Sequence, residues 1–169
     1  MVGRSNVGKS SLINALVNQK IARTSAAPGK TRLANYYLIE DAYYLVDLPG
    51  YGYARGGRES VEEFEALTQQ YFDPAAQPGR VFAGVLHLID ARHPELPQDA
   101  AAFAWILRTE LPIAIVATKI DKLKRAEQTR TIKTLEHRYG TLVLPESVLE
   151  GTGLQEIRKV INQWRSRTV

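Results

Sequence analysis

Residues 81–90 (VFAGVLHLID) and 112–118 (PIAIVAT) are almost unbroken apolar runs, and nothing else in the chain narrows its fold as far. A strand with one wet face alternates apolar and polar side chains. Runs without alternation belong to strands covered on both faces, as in a parallel sheet between layers of helix. Parallel neighbours need a crossover of about a dozen residues, and residues 98–109 have the length and apolar spacing of a crossover helix. The alternation continues with helical patterns over 10–18, 60–72, 124–139 and 154–165 and a last strand over 141–147. Residues 35–40 and 43–47, rich in tyrosine, leucine and valine around the break Asp41-Ala42, predict a hairpin. The expected fold is α/β in three layers: a mostly parallel, doubly wound sheet with one antiparallel edge strand, forming a single domain over residues 1–169.

Gly3-Arg4-Ser5-Asn6-Val7-Gly8-Lys9-Ser10 satisfies G-x-x-x-x-G-K-[ST] and runs into the first helical pattern. Such glycines let backbone N–H groups curl around phosphate oxygens. Lys9 can bring a point charge to the β and γ oxygens, and Ser10, followed by Ser11, offers a hydroxyl to Mg²⁺. The competing reading is a glycine-rich turn that binds nothing. It leaves Lys9 and Ser10 at this spacing unexplained.

Thr118-Lys119-Ile120-Asp121 closes the second buried run, at the carboxyl edge of the sheet where α/β folds bind ligands. A carboxylate at Asp121 can accept the N1–H and N2–H₂ donors of guanine. Adenine offers no such pair and would leave the charge unpaired. The stem of Lys119 can cover the base, and Thr118 can tie this loop to the phosphate loop. Asp47-Leu48-Pro49-Gly50 follows the hairpin: Asp47 can hold Mg²⁺ through a water, and the Gly50 N–H can reach a γ-phosphate. Thr31, within Pro28-Gly29-Lys30-Thr31, is the candidate second Mg²⁺ hydroxyl. Lys9, Thr31 and Gly50 are thus the candidate catalytic residues.

Residues 3–14 (GRSNVGKSSLIN), Pro28-Gly29-Lys30-Thr31, Asp47-Leu48-Pro49-Gly50-Tyr51-Gly52-Tyr53 and Thr118-Lys119-Ile120-Asp121 together resemble the EngB (YihA/YsxC) family of bacterial ribosome-biogenesis GTP-binding proteins. Ser147-Val148, preceded by Glu146, resembles the family's base-contacting Ser-Ser pair. Val148 departs from it and leaves only a backbone contact there. The resemblance implies a P-loop NTPase G domain that binds GTP and GDP with Mg²⁺, hydrolyses GTP slowly, assists maturation of the large ribosomal subunit and is linked to cell division and septation. It also implies that Asn6 matches the asparagine with which related GTPases hold a K⁺. Two other classes compete: a GTPase of tRNA modification or ion-transport control, and a P-loop nucleoside kinase.

Two departures carry expectations. Ras-like enzymes orient the attacking water with a Gln directly after Asp-x-x-Gly, whereas this chain has Tyr51, so slow intrinsic turnover completed by a partner surface is expected. Only Met1-Val2 precede Gly3. The first central strand should therefore be largely missing, with unpaired backbone on its neighbours and a large cavity, and nucleotide affinity should be poor if Met1 is the true start.

Charge is split along the chain: residues 1–118 carry 11 Lys and Arg against 12 Asp and Glu, and residues 119–169 carry 11 against 6. The positive field of the last third, including Lys122, Lys124, Arg125, Arg130, Lys133, Arg138, Arg158, Lys159, Arg165 and Arg167, makes rRNA an expected partner, against the plainer reading of a solvated surface. With no cysteine, disulfides and thiolate chemistry are excluded. No apolar run nears the roughly 18 residues of a spanning helix and no signal-peptide pattern opens the chain, so a cytoplasmic, monomeric protein without membrane contact is the expectation. The tyrosine pairs 36–37 and 43–44 and the tryptophans 105 and 164 are expected to serve packing, and His87, His93 and His137 do not cluster.

Overall fold

The computed structural model describes residues 1–22, 34–52, 59–73, 75 and 78–167. Strands β1 (Val2–Gly3), β4 (Val85–Asp90), β5 (Ile113–Thr118) and β6 (Leu142–Pro145) form a parallel sheet in the order β1-β4-β5-β6. Every residue of β4 is buried, as a run without alternation requires. Strands β2 (Asn35–Ile39) and β3 (Tyr43–Asp47) pair antiparallel in register Asn35↔Asp47 to Ile39↔Tyr43. Their turn is centred on Glu40 and Asp41, one residue earlier than the sequence indicates. Both take positive φ (52° and 50°) and the Ala42 N–H closes on the Ile39 carbonyl at 3.0 Å, the tight turn whose twist matches a hairpin.

Helices α1 (Lys9–Val17), α2 (Glu59–Phe72), α3 (Pro97–Leu107), α4 (Arg125–Tyr139) and α5 (Leu154–Ser166) occupy the expected places within two residues. Leu12, Ile13 and Leu16 give α1 its buried face. Its last carbonyls, which no helical N–H can reach, accept from the Arg158 guanidinium of α5 at 2.9–3.0 Å. Gly140, at φ 59°, ends α4 in the left-handed conformation that glycine tolerates without strain.

The hairpin joins the parallel sheet through the first residue. The Met1 ammonium donates to the Val46 carbonyl (2.6 Å) and the Met1 carbonyl accepts from Leu48 N–H (3.2 Å), so β1 lies between β3 and β4. Burial lowers the pKa of that amine to about 5 although Asp47 pulls it upward. Strand β1 spans only two residues, as expected. A space of about 870 Å³ opens beyond Met1, walled by Tyr43, Leu45, Phe72, Phe82 and Trp164. The strand expected over residues 81–90 begins only at Val85, because β5 starts opposite it at Ile113 and residues 81–84 face the cavity instead of a partner. Trp105 is buried, while Trp164 is partly buried and packs on Gly84, where an added Cβ would lie 2.4 Å from its ring.

Candidate nucleotide site

The phosphate loop hangs from β1 and curls over the start of α1. Gly8, at φ 118°, makes the turn, and Asn6 takes φ 62°. Val7 is buried and anchors the loop from below. Lys9, itself buried, folds back to donate to the carbonyls of Gly3 (3.1 Å) and Arg4 (3.4 Å). Burial lowers its pKa, with Asp47 opposing. The Ser10 hydroxyl donates to Asp47 Oδ2 at 2.9 Å, which brings together two residues separated by 37 positions. The other oxygen, Asp47 Oδ1, is buried without a hydrogen-bond partner. An orphaned carboxylate oxygen beside a serine hydroxyl is a donor set suited to a hard divalent cation such as Mg²⁺.

The base end is built from two strand exits. Thr118 Oγ1 donates to the Val7 carbonyl at 2.8 Å, so this loop is tied to the phosphate loop as the sequence indicates. Lys119, at φ 58°, reaches across to donate to the Asn6 carbonyl (2.8 Å) and to Asp90 Oδ2 (3.0 Å). Residues Ile120–Lys122 form a short 3-10 turn. Glu146 N–H donates to Ala117 and Ile120 N–H to Glu146 (2.9 and 3.0 Å), which welds the exit of β6 to that of β5. The nearby Ser147 hydroxyl and the Lys122 ammonium at 3.0 Å hold the Asp121 carboxyl below the usual carboxylate range. Val148 is exposed and brings no side-chain hydroxyl. Gly153 sits so close behind this corner that a Cβ would stand 1.9 Å from the Pro145 carbonyl.

Two charged groups at the site, Asp90 and Arg92, escaped the sequence reading, whereas Glu146 was among its candidates. Asp90, buried at the carboxyl end of β4, accepts both from Lys119 and bidentately from Arg92 (2.9 and 2.7 Å). Burial pushes its carboxyl upward, but these hydrogen bonds outweigh it and hold it well below the ordinary range. Glu146 is buried with Oε1 unpartnered; burial raises its pKa to about 7 against hydrogen bonds from the Lys119 and Val148 amides. An Asp at the exit of a buried strand, two residues before an Arg, was the available signal for Asp90.

Leu48 is buried, and Pro49 and Gly50 lead from Asp47 to the phosphate loop. A Cβ on Gly50 would lie 2.8 Å from the Ser5 nitrogen, so only glycine lets the two backbones meet. Ser5 N–H donates to the Tyr51 carbonyl at 3.0 Å, and Arg4 bridges Tyr51. Pro28, Gly29, Lys30 and Thr31 lie outside the described residues, as do Tyr53, Arg55 and Arg58. Ser11 lies in the first turn of α1 next to Ser10.

A G-x-x-x-x-G-K-S loop after the first strand, a Ser-Asp pair fit for a cation and a carboxylate at the exit of β5 are the features of a P-loop GTPase domain. Comparison with known proteins agrees. The family described as 50S ribosome-binding GTPase matches residues 1–119. Probable GTP-binding protein EngB of Syntrophomonas wolfei is 41% identical over 167 residues, covering 95% of this chain and 83% of that protein. Its namesake from Thermotoga maritima matches to the same extent. Among solved structures, a probable GTP-binding protein engB superposes with a TM-score of 0.78 at 22% identity, covering 98% and 97% of the two chains. Era in complex with MgGDPNP and nucleotides 1506–1542 of 16S ribosomal RNA gives 0.72 at 26% identity, over 96% of this chain and 54% of that one. The chain belongs to the EngB family of GTP-binding proteins and is a GTPase.

Proposed function

We propose that this GTPase is a switch in assembly of the large ribosomal subunit, acting as a cytoplasmic monomer, with the link to cell division that its family resemblance implies. The observation that carries the reading is the joined site, in which Lys9, Ser10 and Asp47 at the phosphate end are tied through Thr118 and Lys119 to Asp121 and Ser147 at the base end. Ser10 and Asp47 would hold Mg²⁺, with Thr31 as a further hydroxyl, and the ion supplies charge neutralisation for phosphoryl transfer. Lys9, on leaving the Gly3 and Arg4 carbonyls, meets the β and γ oxygens. The Gly50 amide meets the terminal phosphate. Asp121 reads guanine, the Lys119 stem covers it, and the Ser147 and Val148 backbone borders it. Arg4, Ser5, Asn6, Val7 and Ser11 complete the phosphate cradle.

The description of its family as ribosome-binding supports an RNA-rich partner. The basic surface supports it too, in narrowed form. Arg158 caps α1 and Arg165 lies over the Tyr43 ring at 4.0 Å, whereas Lys122, Lys124, Arg125, Arg130 and Lys133 are exposed on and before α4. Co-sedimentation with purified 50S and 30S subunits, with a GTP analogue or GDP at graded salt, tests the reading. Retention on 50S with the analogue, lost with GDP and steeply lost with salt, is expected. Equal retention on both subunits, or none, refutes it. Hydrolysis compared in K⁺ and Na⁺ buffers tests Asn6, where equal rates remove the potassium assignment.

A further inference from the structure

Tyr51 stands where a water-orienting side chain would be placed by sequence, yet its side chain turns the other way. It is 1% exposed and packs in the core cluster of Val2, Val85, Trp105 and Ile106. Its hydroxyl lies 2.6 Å from Asp99 Oδ1, in the first turn of α3, and 2.8 Å from His87 Nε2, in β4. A phenol has one proton, and the shorter contact to the carboxylate takes it. The His87 contact therefore has Nε2–H as donor and the phenol oxygen as acceptor. That tautomer leaves Nδ1 bare, and Nδ1 is indeed buried without a partner. A one-way chain of hydrogen bonds thus runs from His87 through Tyr51 into Asp99, which is itself 1% exposed.

The backbone beside this peg touches the phosphate loop. Tyr51 carbonyl accepts from Ser5 N–H, and Gly50 lies against Ser5 with no room for a Cβ. Moving the Tyr51 ring out of the core would carry Gly50 and the Ser5 contact with it. We propose that Tyr51, held by Asp99 and His87, is a positioning residue that presents the Gly50 amide to the terminal phosphate of GTP and couples it to the first turn of α3. The proposal rests on the reading that Gly50 meets that phosphate. It assigns discrimination between GTP and GDP to a side chain that contacts neither, and it leaves water orientation to a group other than Tyr51.

The test uses the full chain with fluorescent GDP and a non-hydrolysable fluorescent GTP analogue, and reads the ratio of the two Kd values together with kcat and KM. For Tyr51→Phe, the GDP Kd stays within about twofold and the analogue Kd rises about tenfold, the scale of one hydrogen bond to a charged group. Asp99→Leu reproduces that pattern. Asp99→Asn keeps an oxygen acceptor for the phenol and stays within about threefold of the parent ratio. Equal loss of both nucleotides in Tyr51→Phe and Asp99→Leu assigns the cluster a purely structural role and overturns the proposal, as does a ratio that does not move. The parent chain separates the two failures. If its Kd values for the analogue and GDP differ while Tyr51→Phe leaves their ratio unmoved, the peg alone is refuted; if the parent does not distinguish the two nucleotides, the terminal-phosphate reading falls as well.

Discussion

Glu146 gives the structure a pH signature that can be worked out in advance. Its carboxyl is buried beside the loop that follows β5 with one oxygen unpartnered, and burial raises its pKa to about 7 from an ordinary value of 4.5. Below pH 4.5 the folded and unfolded chains both hold this proton and the group is neutral in the balance. Between 4.5 and 7 the folded chain holds it and the unfolded chain has released it, so stability falls as pH rises, by about 1.4 kcal/mol per unit. The full swing is about 3 kcal/mol, complete just above pH 7. Glu146→Gln cannot titrate and remains buried and neutral throughout. Urea unfolding of the parent and the variant at pH 4.5, 6 and 8 isolates the group, since every other titration is common to both. The variant should gain about 3 kcal/mol on the parent between the first and last of these conditions. A difference constant across the range would refute the reasoning, and a difference of opposite slope would place the carboxylate in a site that favours its charge.

Three further outcomes follow from particular contacts. His87, fully buried with its pKa lowered to about 3, takes up no proton in the folded chain until well after the unfolded chain has done so. Its contribution is therefore present above pH 6.5 and lost as pH falls toward 3, and His87→Gln should flatten the acid limb of the unfolding profile by about 1.4 kcal/mol per unit; an unchanged limb argues against it. Asp90→Ala leaves Lys119 only the Asn6 carbonyl, and the GDP Kd should rise about tenfold in a fluorescence titration, with an unchanged Kd refuting the role of the pair. Gly153→Ala meets both a φ of 77° and a Cβ 1.9 Å from the Pro145 carbonyl, and should lose about 3 kcal/mol in thermal unfolding, whereas an unchanged Tm would refute the close approach.

Most of this fold could be read in the sequence because its strands and helices have strong periods. The buried runs gave β4 and β5, and the Gly-x-x-x-x-Gly-Lys-Ser spacing gave the loop before α1. The start of β4 was misjudged by four residues. Apolar character marks residues 81–84 as strand-like but says neither that they are covered, Val81 being 69% exposed, nor whether a neighbouring strand is there to pair with them. The Ser10–Asp47 pair and the Thr118–Val7 tie were legible because each lies within a motif. Asp90, His87 and Asp99 were not, since their partners lie 29, 36 and 48 positions away: pairing of β4 with β5 brings Lys119 to Asp90, and packing against β4 brings Tyr51 to His87 and Asp99. Tyr51 was legible as an odd residue at its position. That it turns into the core depends on the space between β1 and α3, which no local pattern encodes.

The ties from Thr118 to Val7 and from Lys119 to Asn6 span 111 and 113 positions. During synthesis the phosphate cradle is made before the groups that brace it, which follow more than a hundred residues later. A nascent chain that has not yet delivered β5 carries the whole glycine-rich motif without the braces that hold it in shape. Guanine nucleotide in the cell then rewards only completed molecules, stabilising the finished fold by mass action and leaving partial chains without that help.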